Sequence, residues 1–265
     1  MSDFSSIARI YRQNATAQKS AAEQLFWMLR IQRSDDVLDL GCGTGHLAQE
    51  IRVLTDGRVV GIDLFPEMIA MAREAAPDTI EFVTGAAESL DMPQAFDAIF
   101  CNSVFQWFTD APLALANCYA ALRPGGRMAM QAPARKEYCP QFVRAVAKLG
   151  EDPRTSEAWA HFRTPWTFYE TADDYARLFT GAGFTIGGAE IEELREHATP
   201  ERALEMFESG AAAAYLNPVC YDLPLPPGYI EAAREIILAD LHAQADSRGR
   251  LEILFYRAYV LARKP

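Results

Sequence analysis

The sequence predicts an α/β fold built on a mostly parallel sheet, and three observations point to it. Short apolar runs at residues 37–40, 58–63, 80–84 and 96–102 alternate with helical patterns. Strands separated by helix-length segments lie parallel, because a crossover must join them. The turn Gly41-Cys42-Gly43-Thr44-Gly45 follows the first run and opens a helix near Leu47. A last run at residues 254–262 reads as an antiparallel closing strand, since it follows strand six with no room for a terminal crossover helix.

Taken in order, residues 1–33 hold two amphipathic patterns. Phe4, Ile7, Ala8 and Tyr11 share one helical face, and Ala21, Ala22, Leu25, Phe26 and Leu29 share another. Such a segment serves equally as a helix packed on the sheet or as a cover over a ligand, with Tyr11, Gln13 or Gln18 turned inward. Residues 37–40 are the first buried strand. The glycines after it let a ligand approach the backbone without meeting a Cβ, and the helix that follows offers N–H groups and the positive end of its dipole. A dinucleotide fingerprint would need a small residue at position 46, where this chain has His46. Asp39 sits just before the first glycine, where its charge disfavours a pyrophosphate and favours a cation. Asp63 closes strand two, roughly 20 residues beyond the glycines, the distance at which a carboxylate meets ribose hydroxyls. Cys42 reads as a small turn residue rather than a nucleophile.

Pro66 opens the next helix. Strand three runs into Gly85-Ala86-Ala87-Glu88, and strand four into Asn102-Ser103-Val104-Phe105-Gln106-Trp107-Phe108. Ligands of open α/β sheets gather beyond the carboxyl ends of the strands, so this last segment faces the reaction. In Arg123-Pro124-Gly125-Gly126-Arg127 the proline is expected to end a helix and the glycines to turn the chain into strand five, at 128–132. Residues 133–180 hold a helix marked by Phe142, Val146 and Leu149, an aromatic loop at 161–169 and a helix ending near Gly181 or Gly183. Strand six is read at 184–194. Two helical segments at 200–244 flank the proline-rich turn at 223–227.

Composition narrows the function. The net charge of −11 and the scattered Lys and Arg residues argue against a nucleic-acid substrate. The five cysteines show no C-x-x-C spacing and the four histidines no H-E-x-x-H, so neither a disulfide framework nor a metal site is expected. No apolar run approaches the roughly 18 residues of a membrane span, and no signal-peptide core is seen. A soluble cytoplasmic enzyme, monomeric or homodimeric, is the expectation.

The run Val37-Leu38-Asp39-Leu40-Gly41-Cys42-Gly43-Thr44-Gly45, with its flanking strand and helix and with Asp63 beyond, resembles the first motif of class I S-adenosylmethionine (SAM)-dependent methyltransferases. Leu122-Arg123-Pro124-Gly125-Gly126 is similar to a second signature of that family. The resemblance implies a Rossmann-like, seven-stranded sheet with an antiparallel last strand, carried by a single domain over residues 1–265. Its parts would be a helical N-terminal lid at 1–33, a SAM-binding core at 34–133, a substrate cover at 134–180, and C-terminal strands with a helical insertion at 181–265. It implies SAM as methyl donor, S-adenosylhomocysteine as product, and a binding set of Asp39, Gly41, Cys42, Gly43, Gly45, Asp63, Leu64, Met68, Ala86, Ala87, Glu88, Asn102 and Ser103. Ala87 and Glu88 would lie along the adenine, although Glu88 could equally cap a helix or face water.

Methyl transfer from a sulfonium is an in-line displacement in which the protein supplies alignment and excludes water. A carboxylate acceptor needs no base, being ionised at neutral pH. The segment after strand four has no His, Asp or Glu before Asp110, but offers the donors Gln106 and Trp107. It resembles the corresponding stretch of trans-aconitate, malonyl-acyl-carrier-protein and juvenile-hormone-acid methyltransferases, which esterify carboxylates. By that resemblance Gln18 and Trp107 hold the acceptor; Gln106 is a further donor in the same segment, and Tyr11 and Trp166 are candidates to line the site. The acceptor would be a small carboxylic acid or an acyl thioester with a free carboxylate. Two alternatives stand beside this: C-methylation of a quinone-like or other small metabolite, with a base from His161 or Tyr169, and a non-catalytic SAM-binding module. A nicotinamide dehydrogenase is the remaining rival, and His46 argues against it.

Overall fold

Each apolar run becomes a strand of one sheet. The structure is a computed structural model, described here over residues 16–265, with side chains from residue 21. The elements follow in chain order as α1 (Thr16–Leu29), β1 (Val37–Leu40), α2 (His46–Leu54), β2 (Val59–Asp63), α3 (Pro66–Ala75), β3 (Glu81–Thr84), β4 (Phe96–Asn102), α4 (Ala111–Ala121) and β5 (Leu122–Pro133). Then come α5 (Pro140–Ala147), α6 (Ser156–Trp159), α7 (Ala172–Gly181), β6 (Thr185–Ala198), α8 (Pro200–Glu208), α9 (Ala212–Tyr215), α10 (Tyr229–Gln244) and β7 (Leu251–Arg263).

The strands are ordered β3-β2-β1-β4-β5-β7-β6. The first five are parallel, and β7 runs antiparallel to β5, from Arg127↔Arg263 to Pro133↔Arg257. All four residues of central β1 are buried, so the strand reads as a continuous apolar run broken only by Asp39. The connections leave β1 in one direction through β2 and β3, and leave β4 in the other through β5. That reversal opens a crevice beyond the carboxyl ends of β1 and β4, where the candidate site lies.

The chain divides into two compact units. The sheet unit comprises Thr16–Lys136, Thr167–Glu192 and Arg257–Pro265. Its α1 lays Ala22, Leu25 and Leu29 on Val37, Ala98, Phe100, Ala129 and Tyr259, and Phe26 stacks on Phe100 at 4.8 Å. Residues 21–29 are therefore a helix packed on the sheet; Tyr11 and Gln13 lie outside the described residues. Arg127, where β5 pairs with Ala98 of β4, fixes the end of α1. It donates to Leu29 O at 2.5 Å and Arg30 O at 3.0 Å, and pairs with Asp35 at 2.5 Å. The helical unit comprises Glu137–Trp166 and Glu193–Tyr256. There α5 packs on α10, Phe142 meets Phe207 and Phe255 edge-on at 5.5 and 5.7 Å, and the hydroxyls of Tyr221 and Tyr229 lie 2.9 Å apart.

Several expectations are corrected. Helix α4 ends at Ala121, and Leu122 already pairs with Phe96, so Pro124 does not end the helix. The Pro-Gly-Gly turn is instead an excursion within β5, where the register with β4 slips between Phe96↔Leu122 and Ala98↔Arg127. It also ties down the C-terminus, since Gly125 N donates to Lys264 O and Lys264 N to Gly126 O, both at 2.9 Å. Strand six is longer than read, reaching Ala198, and three helices rather than two lie between it and β7. The closing strand is antiparallel as expected, but not for lack of intervening chain.

Candidate active site

The glycine turn is built by exclusion. Gly41, Gly43 and Gly45 all take left-handed φ, at +76°, +53° and +78°. A Cβ on Gly41 would lie 2.5 Å from Val104, and one on Gly45 would lie 2.8 Å from Phe82. A Cβ on Gly43 would meet nothing within 4 Å. The two outer glycines thus let the turn pack, while the middle one keeps its free face open. Gly41 N and Cys42 N both donate to Ile62 O, at 2.7 and 2.9 Å, which fastens the turn to β2. Cys42 is buried, and burial followed by the charges of Asp39 and Asp63 raises its thiol pKa, so it is no nucleophile.

Two carboxyl groups face this turn. Asp63 Oδ2 accepts from Gly43 N at 2.9 Å and Oδ1 from Phe65 N at 3.0 Å. Burial raises its pKa against the lowering effect of the N–H groups of Phe65, Gly43 and Leu64. Asp39 is 2% exposed, and its Oδ2 has no hydrogen-bond partner. Burial first, and then the charge of Asp63, push its pKa up to about 8. Among the described residues neither group is ion-paired. A buried acceptor oxygen with no donor, beside a second carboxylate, fits a cationic ligand and repels an anionic one.

The remaining expected residues divide. Leu64 is exposed and Met68 half-buried, next to Asp63 and at the start of α3. Ala86 and Ala87 lie at the end of β3 as read. Glu88 takes the alternative role: its Oε1 accepts from Thr109 N at 2.7 Å, Thr109 Oγ1 at 3.1 Å and Asp110 N at 3.3 Å, ahead of α4. Burial alone would raise its pKa, but the N–H groups of Glu88, Asp110 and Thr109 outweigh it and hold the carboxyl below the usual range. Asn117, not singled out from the sequence, donates to Ala87 O at 3.1 Å and Glu88 O at 2.8 Å and so fixes this segment from α4.

At the end of β4 the buried Oδ1 of Asn102 has no partner. Ser103 follows with φ +58°, a left-handed value that few non-glycine residues hold. Its hydroxyl donates to Gln131 Oε1 at 2.8 Å, which uses its proton. Gln106 is 7% exposed; its Nε2 donates to Ser103 O at 2.9 Å, and its Oε1 has no partner. The end it presents is thus an acceptor, not the donor read from the sequence. Trp107, half-buried, closes the short 3₁₀ turn Phe105–Trp107. Asp110 is an N-cap, accepting from Leu113 N at 3.0 Å. Trp166 belongs to the helical unit, where its ring meets Tyr138 and Tyr215 edge-on at 5.9 and 5.3 Å. Tyr11 lies outside the described residues, and of Gln18 only the backbone, in α1, is described.

Residues 38–130 match the methyltransferase domain family. The chain is 33% identical over 178 residues to the trans-aconitate 2-methyltransferase of Deinococcus radiodurans, covering 65% of this chain and 67% of that protein. The chain belongs to the class I SAM-dependent methyltransferases. This methyltransferase is also 36% identical over 126 residues to the malonyl-[acyl-carrier protein] O-methyltransferase of Serratia marcescens, a match that spans 47% of this chain and 49% of that one. The YcgJ protein of Bacillus subtilis, at 16% identity, shares the fold with a TM-score of 0.63 over 93% of this chain and 98% of its own.

Proposed function

We propose that the enzyme transfers a methyl group from SAM to the carboxylate of a small organic acid or acyl thioester, giving a methyl ester. The observation that carries this is the chemistry of the turn after β4. From Asn102 to Thr109 it holds no ionisable side chain, and the first carboxylate beyond, Asp110, is spent on capping α4. An acceptor that arrives already ionised needs no base. The names of the Deinococcus and Serratia relatives point the same way.

In this reading the donor is held at the carboxyl ends of β1 and β2. Asp63 meets the ribose hydroxyls with its remaining lone pairs, and the open face of Gly43 admits the donor to the backbone. Asp39 answers the donor's positive charge, with Asn102 Oδ1 a further acceptor, and Leu64, Met68, Ala86 and Ala87 flank the base. The bound donor supplies a methyl group activated by its sulfonium. The protein aligns the acceptor oxygen behind that methyl and keeps water away. Trp107 and Gln18 donate to the acceptor carboxylate, within a single methyltransferase domain.

The test pairs each acid of a panel with its carboxamide, using methyl-labelled SAM. Transfer to one or more free acids, with none to the matching amide, is the expected result. Transfer to a quinol or enol carbon, with no acid methylated, would replace this reading by C-methylation.

A further inference from the structure

Gln131 lies at the carboxyl end of β5, opposite Asn102 of β4, and is 2% exposed. A glutamine so deeply buried needs its polar atoms used. Its Oε1 accepts the Ser103 hydroxyl at 2.8 Å, and its backbone oxygen accepts Ser103 N at 2.9 Å. Ser103 is thereby clamped twice by one residue, in a left-handed conformation that a serine does not choose unaided. The carbonyl of Ser103 then accepts Gln106 Nε2 at 2.9 Å. That bond decides which way the Gln106 amide faces. Reversing the amide would set two oxygens against each other, so Oε1 is held on the unpartnered side. One residue further along is Trp107. The backbone oxygen of Gln106 accepts Thr167 N at 2.9 Å, which links the same turn to the segment leading to Tyr169 and α7.

We propose that Gln131 is a positioning residue for methyl transfer: through Ser103 it sets the conformation of the turn that presents Trp107 to the methyl acceptor. The inference rests on the reading of that turn as the acceptor side of the site. It gives a use to a buried polar residue that the donor site does not employ. It also explains a left-handed serine at the edge of the crevice, where strain is held only when the surroundings over-determine it. A purely structural role would spread its effect through β5. A positioning role concentrates it in the turn and in the acceptor's kinetics.

The experiment is a double-mutant cycle with Gln131→Met, Ser103→Ala and the two together. Hydrogen exchange read by mass spectrometry on peptides covering 102–108, in the presence of S-adenosylhomocysteine, reports the turn without any acceptor. Each single variant is expected to raise exchange there by about tenfold and to leave the β1 and β2 peptides unchanged. The double variant is expected to exceed neither single by more than about twofold. With the acid that wild type methylates, each single variant should lower kcat/KM by about tenfold while the Kd for S-adenosylhomocysteine moves by less than about threefold. Additive effects, or wild-type exchange in both single variants, would overturn the proposal. Should Gln131→Met fail to fold, wild-type exchange at 102–108 in Ser103→Ala alone would overturn it. A base-stable methylated product would defeat the carboxylate reading and leave the exchange result standing.

Discussion

Replacing Asp39 by Asn separates what this carboxyl group does for stability from what it does for the donor. In the ligand-free fold its pKa is pushed up to about 8 by burial and by Asp63. A carboxyl group raised in this way contributes stability that is fully present below its unfolded pKa, about 4, and is lost as pH rises toward 8. By pH 7 the loss amounts to about 4 kcal/mol. Asp39→Asn, which cannot ionise, should therefore raise the melting temperature of the ligand-free protein at pH 8, by the equivalent of at least about 1 kcal/mol. Binding runs the other way. A cationic ligand pairs with ionised Asp39, so the proton must leave when the ligand arrives. Below pH 8 the affinity of the wild type for S-adenosylhomocysteine, whose amino group is an ammonium, should fall about tenfold for each pH unit. Calorimetry at pH 6, 7 and 8, in buffers of different ionisation enthalpy, would count close to one proton released at the lowest pH. Asp39→Asn should bind more weakly at pH 8 and show a flat profile. A flat wild-type profile, or a variant that binds as tightly as wild type, would refute the reasoning.

The two glycines of the turn should respond differently to alanine. Gly41→Ala drives a Cβ to 2.5 Å from Val104 and should cost stability by about 2–3 kcal/mol in a denaturant titration. Gly43→Ala has open space and should cost about 1 kcal/mol from its left-handed φ alone, yet bind S-adenosylhomocysteine at least about tenfold more weakly. Arg127→Met removes three tethers to α1 and to the loop at Asp35, and should destabilise by about 3–5 kcal/mol, because Asp35 is left buried without its partner. Trp107→Phe should lower turnover on the productive acid while leaving donor affinity within about threefold of wild type, as a calorimetric titration would show.

Much of the candidate donor site is legible in the sequence because it is local. Strand, glycine turn, helix and the two aspartates lie within residues 37–63, and their spacing alone implies backbone approach and a cation. The rest depends on contacts between distant residues. Gln131 reads in the sequence as one more strand residue, since its partner, Ser103, lies in the turn that follows a different strand, β4. Gln106 reads as a donor in the sequence because a glutamine has both ends, and which end is spent is decided by the Ser103 carbonyl. Glu88 reads as a base contact in its own segment, yet its oxygen is taken by Thr109 and Asp110, which only the packing of α4 brings near. The Pro-Gly-Gly turn has the composition of a helix stop, but the register between β4 and β5 made it a bulge.

The most direct measurement is the chemical form of the transferred methyl. The enzyme is incubated with methyl-labelled SAM and the acid it turns over, and the product is treated with mild base. Release of the label as methanol is expected, since a carboxylate acceptor gives a base-labile methyl ester. Label that survives base, on carbon, nitrogen or an ether oxygen, would contradict carboxylate methylation and would require a base in a turn that holds none.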